Sequence, residues 1–295
     1  TVKVNLACLQ ETELDVIDQY MVMLRLGPSF DGHAYLPAVD TRGGILLAWD
    51  NTALTVDNVV LNDNFLTGLV HTKVGQPWWI TVVYGPQGDE LKTQFLEDLK
   101  NRRVGCLGPW MVLGDFNMII RATDKNNTNI NRRMMSKFRD FVDEHELKEM
   151  YMHGRRYTWS NERDAPTLTK IDRILTTVDW EFDHAEYLLQ ALSTGVSDHA
   201  PLLLSTSVGF SPKHRFRFEM CWTKVEGFEE AIIEGWVCDP DIVDPYKRLD
   251  TLLRNTARHL QAWGQRKRGN VKILMRVARW VIHRLDCAQE NRALG

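Results

Sequence analysis

The chain has 295 residues, 44% of them hydrophobic, and a formal net charge of −3. That composition is ordinary for a globular protein able to bury a large core, and no run approaches the roughly 20 apolar residues of a membrane span. Five scattered cysteines without a C-x-x-C pair argue against a zinc site or a disulfide framework, and no basic-then-apolar leader opens the chain, so a reducing, intracellular setting is expected.

In chain order, Val2, Val4, Leu6 and Cys8 alternate as a short strand that runs into Leu9-Gln10-Glu11. Further strands are predicted at Gly44–Trp49, Leu66–His71, Trp78–Tyr84, Met111–Leu113, Lys170–Leu175 and Pro201–Leu204, with Gly- and Pro-containing turns between several of them. Helical spacing appears over Leu91–Lys100 and Met134–Leu147. Many strands and few helices imply sheet packed on sheet. A cluster of Ser, Thr, Gly and Pro at Ser205–Pro212 marks a domain boundary, giving domains 1–206 and 207–295. Beyond it, Leu249 to Leu260 and Val271 to Ala288 read as a helical hairpin.

Charge is divided unevenly between the two parts. Residues 1–208 hold 20 Lys and Arg against 28 Asp and Glu, a net of −8, whereas residues 209–295 hold 16 against 11, a net of +5. Arg266, Lys267, Arg268 and Lys272 concentrate the excess and suggest an anionic partner such as nucleic acid, or a nuclear-import signal. A solvated basic helix face explains the same residues.

Three predicted strand ends carry chemistry. Glu11 follows the first strand, Gly114-Asp115-Phe116-Asn117 follows Trp110–Leu113, and Ser197-Asp198-His199 precedes Pro201–Leu204. Hard oxygen ligands with a neighbouring imidazole suit a magnesium-like ion and a proton in flight, the requirements of phosphoester hydrolysis. Glu11 and Asp198 are the expected carboxylates for Mg²⁺, with Mn²⁺ as an alternative. Asp115 would orient the attacking water, and Asn117, on the same side of an extended segment, would donate its amide to a phosphate oxygen. His199 would contact the phosphate or the proton, and Asp172, a polar residue within an apolar strand, would fix its tautomer. Taken singly, each residue also has a structural explanation: a turn, a cap, a first-turn acid or an edge ion pair.

The order of Leu9-Gln10-Glu11-Thr12, Arg42-Gly43-Gly44, Tyr84-Gly85-Pro86, Gly114-Asp115-Phe116-Asn117, Tyr157-Thr158-Trp159-Ser160-Asn161, Ile171-Asp172-Arg173-Ile174-Leu175 and Ser197-Asp198-His199 resembles the endonuclease/exonuclease/phosphatase (DNase I-like) superfamily. The Tyr-Thr-Trp-Ser-Asn segment is more specifically similar to the endonuclease domain of plant non-LTR (LINE-type) retrotransposon polyproteins, and Phe216-Arg217-Phe218-Glu219 with Trp222, Phe228 and Trp236 to the connector that follows it. The resemblance implies a four-layer αββα sandwich of two packed mixed sheets, followed by a C-terminal helical segment. It implies Tyr84 as an active-site tyrosine and Thr158 as a hydroxyl near the phosphate; a core aromatic and a strand threonine are the plainer readings. It also implies a DNA-nicking activity leaving 3′-hydroxyl and 5′-phosphate ends, with DNA, and possible RNA on the basic helices, as partner. The family begins one strand earlier, with an asparagine at the phosphate, and this chain starts after it. An open sheet edge and reduced activity are therefore expected, and the second reading is an impaired retrotransposon relic that binds nucleic acid through its basic tail. A phosphatase acting on a lipid or inositol head group is a third reading.

Overall fold

The computed structural model describes residues 4–39, 43–184, 187–195, 197–206, 222–223, 225–240, 244–260, 262–264, 281–282 and 285. The apolar runs β6 (Trp78–Tyr84) and β7 (Trp110–Asp115) lie side by side and parallel, joined through helix α2 (Asp89–Val104). Parallel neighbours need such a crossover, and α2 supplies it with Phe95, Leu96 and Leu99 facing the sheet. Around this pair the main sheet extends as β4 (Leu54–Leu61), β5 (Phe65–Thr72), β6, β7, β12 (Asp172–Thr176) and β8 (Lys148–Glu149). Only β6 and β7 run parallel there, so the sheet is mixed.

Three apolar interlayer cores define the layering. On one face of the main sheet, α2 and α3 (Arg132–Glu144) bury Phe95, Leu99, Phe138 and Phe141 against Trp110, Val112 and Phe116. On the other face, Ile80, Val82, Met111 and Ile174 meet Ile45 and Leu47 of β3 (Ile45–Trp49) and Leu189 and Ala191 of β13 (Leu188–Ala191). Outside that layer, α1 (Gln19–Leu26) buries Val22 against Leu46 and Ala48, the alternate residues of β3. The result is the α/β arrangement in four layers, αββα, expected of the sequence. Strand β3 is buried along its whole length, which is why its sequence is an unbroken apolar run rather than an alternation.

The facing layer departs from a single second sheet. It consists of β1 (Leu6–Gln10), β3 and β2 (Gly32–Leu36) in the order β1-β3-β2, and of β14 (Leu202–Ser205), β13 and β9 (Met152–His153) in the order β14-β13-β9. Both three-stranded sheets share one core with the main sheet, yet among the described residues β1 and β14 are each hydrogen-bonded on one side only. Strands β2, β4, β9 and β13 and helix α1 were not apparent in the sequence pattern. They are short, or polar on the exposed face, so period-two alternation is weak there.

Several buried polar groups within the main sheet satisfy one another. The Thr67 and Thr81 hydroxyls lie 2.9 Å apart, and the indole of the fully buried Trp110 donates to Thr81 Oγ1 at 2.9 Å. Arg173, with no exposed side-chain surface, pairs with Asp124 at 2.6 Å and with Glu149.

Two compact units are distinguished, one of residues 1–208 and 285–295 and one of residues 209–284. In the second, a helix over Phe228–Gly235 and another over residues 245–260 meet at Gly235, where an added Cβ would lie 2.9 Å from Thr256 Cα. Trp222, Ala231, Leu260 and Trp263 form its small core. The basic residues Arg266, Lys267, Arg268 and Lys272 lie outside the described residues. No described helix is long and apolar enough to cross a membrane.

Candidate active site

The site is built on one rung of the main sheet. Register pairs Tyr84 with Asp115 across β6 and β7, and Asp115 with Asp172 across β7 and β12, so these three residues stand side by side at the same sheet edge. The facing layer closes over both flanks. At one flank, Tyr84 Oη donates to Glu11 Oε1 at 2.6 Å. At the other, His199 Nδ1 lies 2.9 and 3.1 Å from the two carboxylate oxygens of Asp172. Asp115 sits between these links and is 3% exposed.

Local chain chemistry explains how the rung ends so sharply. Gly114 has φ +129°, and a Cβ there would lie 2.2 Å from the Val83 carbonyl oxygen, so only glycine lets β7 approach β6 and turn. Asn117 occupies the left-handed region at φ +50°, tolerable for asparagine, and its N–H donates to Asp115 Oδ1 at 2.7 Å. Its side-chain amide donates to the Gly85 carbonyl at 2.7 Å, while the Gly85 N–H donates to the Asp115 carbonyl at 2.7 Å. Gly85 has no room for a side chain, since a Cβ would fall 2.3 Å from the Phe116 oxygen. The Tyr-Gly-Pro and Gly-Asp-Phe-Asn motifs are thus one interlocked structure. One hydrogen of the Asn117 amide is committed to Gly85, leaving the other for a further acceptor.

The hairpin of β10 (Trp159–Ser160) and β11 (Leu168–Thr169) supports the opposite flank. Thr158 is 1% exposed, and its Oγ1 accepts from the backbone N–H groups of Ile171 at 3.1 Å and Asp172 at 3.0 Å. The hydroxyl is turned inward onto the start of β12, where it fixes the Asp172 backbone. Trp159, quoted within its motif but not singled out, donates its indole N–H to Asp198 Oδ2 at 2.8 Å. Ser160 N–H donates to the Asp198 carbonyl at 3.1 Å, and Ala200 N–H to the Thr158 carbonyl at 2.7 Å. The Ser197-Asp198-His199 segment is therefore laid against β10, with His199 bridged to Trp159. An aromatic N–H beside a conspicuous Tyr-Thr motif was the signal available for Trp159.

Charge at the site is lopsided. Four carboxyl groups, Glu11, Asp115, Asp172 and Asp198, surround one imidazole. Burial, then the Asp172 charge, pushes Asp115 up to about 7, against the opposing pull of the Asn117 amide and His199. Burial would lower His199, but the bond to Asp172 and the charges of Asp172, Asp115 and Asp198 outweigh it and raise the imidazole to about 9. Burial, the bond and charge of Glu11, and the charges of Asp115 and Asp198 hold the Tyr84 phenol above its ordinary value. Near neutral pH the pair therefore reads as imidazolium on Asp172, beside an acid poised between its two states.

No three His, Cys, Asp or Glu side chains among the described residues converge into a ready-made metal cage. Glu11 and Asp198 instead offer oxygen donors in an electronegative, open site, which fits a hard cation that keeps most of its waters. Zinc-type thiolate or imidazole cages are not formed there.

A profile of the endonuclease/exonuclease/phosphatase family matches residues 2–199. No relative is found among curated protein sequences. Among solved structures, a variant of the Neisseria 3′ phosphatase NExo bound to product DNA hairpin is similar with a TM-score of 0.53 and 15% identity, over 68% of this chain and 88% of that one. The endonuclease domain of TRAS1, a telomere-specific non-LTR retrotransposon, gives a TM-score of 0.48 and 16% identity over 68% and 84%. The Xenopus laevis APE2 catalytic domain gives 0.46 and 15% over 67% and 82%.

Proposed function

The chain belongs to the endonuclease/exonuclease/phosphatase family, and from that premise we propose that it is a Mg²⁺-dependent endonuclease that nicks DNA, leaving 3′-hydroxyl and 5′-phosphate ends. The observation that carries this reading is the rung Tyr84–Asp115–Asp172 bracketed by Glu11 and His199. Glu11 and Asp198 would hold the ion, Mg²⁺ or Mn²⁺, which when bound supplies positive charge to the phosphate and the departing oxygen. The Trp159 indole fixes the Asp198 carboxylate, and Tyr84 fixes that of Glu11.

The remaining work falls to the chain's own groups. Asp115, once ionised, accepts a hydrogen bond from a water and takes its proton as the water oxygen bonds to phosphorus. The bond from phosphorus to O3′ breaks, the phosphate stays on the 5′ end, and the departing O3′ takes a proton from solvent water to become a hydroxyl, while Asp115 returns its proton to solvent. The imidazolium of His199, anchored by Asp172, faces the phosphate oxygens and neutralises charge that grows as the water adds. The second hydrogen of the Asn117 amide donates to the same phosphate.

A non-LTR retrotransposon origin is supported by the Tyr157–Asn161 segment and its place before β12. Beside the impaired relic, a 3′ phosphatase acting on DNA is a second reading, the activity named for the Neisseria protein of similar fold. Conversion of supercoiled plasmid to nicked circle in Mg²⁺, beside EDTA and Asp198→Ala, tests the assignment. Nicking is expected to disappear in both controls; an Asp198→Ala protein that nicks equally well would sink it. A hairpin bearing a 3′-phosphate, released as inorganic phosphate without nicking, would transfer the assignment to the second reading.

A further inference from the structure

Helix α2 carries a charge where its packing pattern calls for an apolar residue. Its buried stripe is Phe95, Leu96 and Leu99, which face the main sheet. Counted back by three and four residues, the same stripe begins at Lys92, a half-buried lysine on the core-facing side of the helix. Because β6 and β7 are parallel, α2 runs back from the edge bearing Tyr84 and Asp115, so its first turn stands at the site. The Phe95 ring lies 6.5 Å from that of Phe116, the residue after Asp115, and Lys92 is about one turn nearer the edge. Helical side chains lean toward the helix N-terminus, which directs the Lys92 stem to that edge.

The placement is unfavourable for a cation. The positive end of α2 repels it, and burial holds the ammonium below its ordinary value despite the charges of Asp89 and Asp115. Neither acid pairs with it. Asp89 accepts from the Asn131 amide at 2.8 Å, and Asp115 Oδ1 from the Asn117 N–H at 2.7 Å. Among the described residues no hydrogen bond or ion pair holds the Lys92 ammonium. The strand faces separate it from the reacting group: Met111 and Leu113 turn to the sheet–sheet core, and Val112 and Phe116 to the helices. By that alternation the Asp115 carboxylate is on the side of the facing layer, and Lys92 on the helix side. The edge between them holds four carboxyl groups and one imidazole, a field that a polyanionic strand meets unfavourably unless fixed cations flank it.

We propose that Lys92 is a substrate-binding residue, its ammonium taking a non-bridging oxygen of the phosphate next to the scissile one, on the helix side of the rung. This contact rests on the endonuclease reading, to which it adds a phosphate position. The apolar stem covers the end of the α2 stripe while the charged head stays at the edge.

The test is binding of a fluorescein-labelled 30-base-pair duplex to the full chain, with Ca²⁺ replacing Mg²⁺, across a series of salt concentrations. Lys92→Met keeps the stem and removes the charge, Lys92→Gln is a second charge-free variant, and Lys92→Arg restores the charge. Lys73→Met removes an exposed lysine at the opposite end of β6. Urea unfolding checks that each variant is folded. Lys92→Met should be at least as stable as wild type, bind about threefold more weakly or worse, and lower the slope of log affinity against log salt by about 0.9, one phosphate contact. Lys92→Arg should recover most of that slope, and Lys73→Met should leave it unchanged. An unchanged slope in folded Lys92→Met, or an equal loss in Lys73→Met, overturns the proposal. So does a slope that holds while the pH optimum of nicking moves, which would make Lys92 a neighbour of Asp115 only. Loss of the fold in both charge-free variants would make the lysine structural and overturn it as well. A wild-type chain that nicks but is indifferent to Lys92→Met refutes the contact alone. One that binds through Lys92 without nicking refutes the endonuclease reading alone, and one that binds no duplex refutes both.

Discussion

Replacing Asp115 with asparagine should make the protein more stable and catalytically inert at once. In the folded chain this carboxyl is moved from the ordinary 3.8 to about 7 by burial and by Asp172. An acid whose folded pKa is raised brings a stability cost that is absent below pH ~4, grows as pH rises, and is complete above pH ~7. At about 1.4 kcal/mol per pH unit, the full cost is about 4 kcal/mol, and about 2 kcal/mol of it appears between pH ~5 and pH ~7. Asparagine keeps the oxygen that accepts from Asn117 N–H, so the turn is preserved while the buried charge is removed. The assay is urea unfolding of wild type and Asp115→Asn, followed by tryptophan fluorescence in EDTA, at pH ~5 and pH ~8. The variant should gain only about 2 kcal/mol at pH ~5 and about 4 kcal/mol at pH ~8, the latter equivalent to roughly 8–16 °C in Tm for a domain of this size. Plasmid nicking should fall at least about a hundredfold. A variant equally or less stable than wild type at the higher pH, or a gain that does not grow with pH, would refute the reasoning that Asp115 is held as a strained, poised acid.

The flanking residues carry expectations of their own. The His199 imidazole should titrate near pH 9 by NMR, and in Asp172→Asn its midpoint should drop toward or below 6.5, because burial then acts with one partner fewer; an unmoved midpoint would separate the two residues. The favourable contribution of that pair to folding should be present below pH ~6.5 and fade as pH rises through ~9, so Asp172→Asn should cost least at high pH. Thr158→Val should destabilise by about 2–3 kcal/mol, since two buried N–H groups lose their acceptor, whereas Thr158→Ser should cost under about half of that; equal costs would show that the methyl, not the hydroxyl, matters. Trp159→Phe should keep the fold but raise the Mg²⁺ concentration needed for half-maximal nicking several-fold, by freeing the Asp198 carboxylate; an unchanged requirement would leave the indole with a packing role.

Much of this protein was legible in the residues before any coordinate. Apolar runs ending in Gly-Asp-Phe-Asn or preceded by Ser-Asp-His marked strand ends with acids and an imidazole, because strand formation and turn chemistry are local and leave local traces. Sheet packed on sheet followed from many strands and two clear helices, and the αββα layering from the family resemblance that the order of the motifs carries. What no window of sequence carried was register. Glu11 and Tyr84 are 73 residues apart, and Asp172 and His199 are 27 apart. A shift of one residue on β12 would have sent Asp172 to the helix side and brought Arg173 to the site. Thr158 illustrates the same limit: its motif said it mattered, but only packing brought its hydroxyl to the backbone N–H groups at the start of β12. The raised acid at Asp115 and the buried Arg173–Asp124–Glu149 network are tertiary properties too, since burial and pairing depend on which segments the fold brings together. The order of residues set which chemical groups were available and that they end strands. Folding then selected which of them meet, because side-chain identity is local and the field each group feels is not.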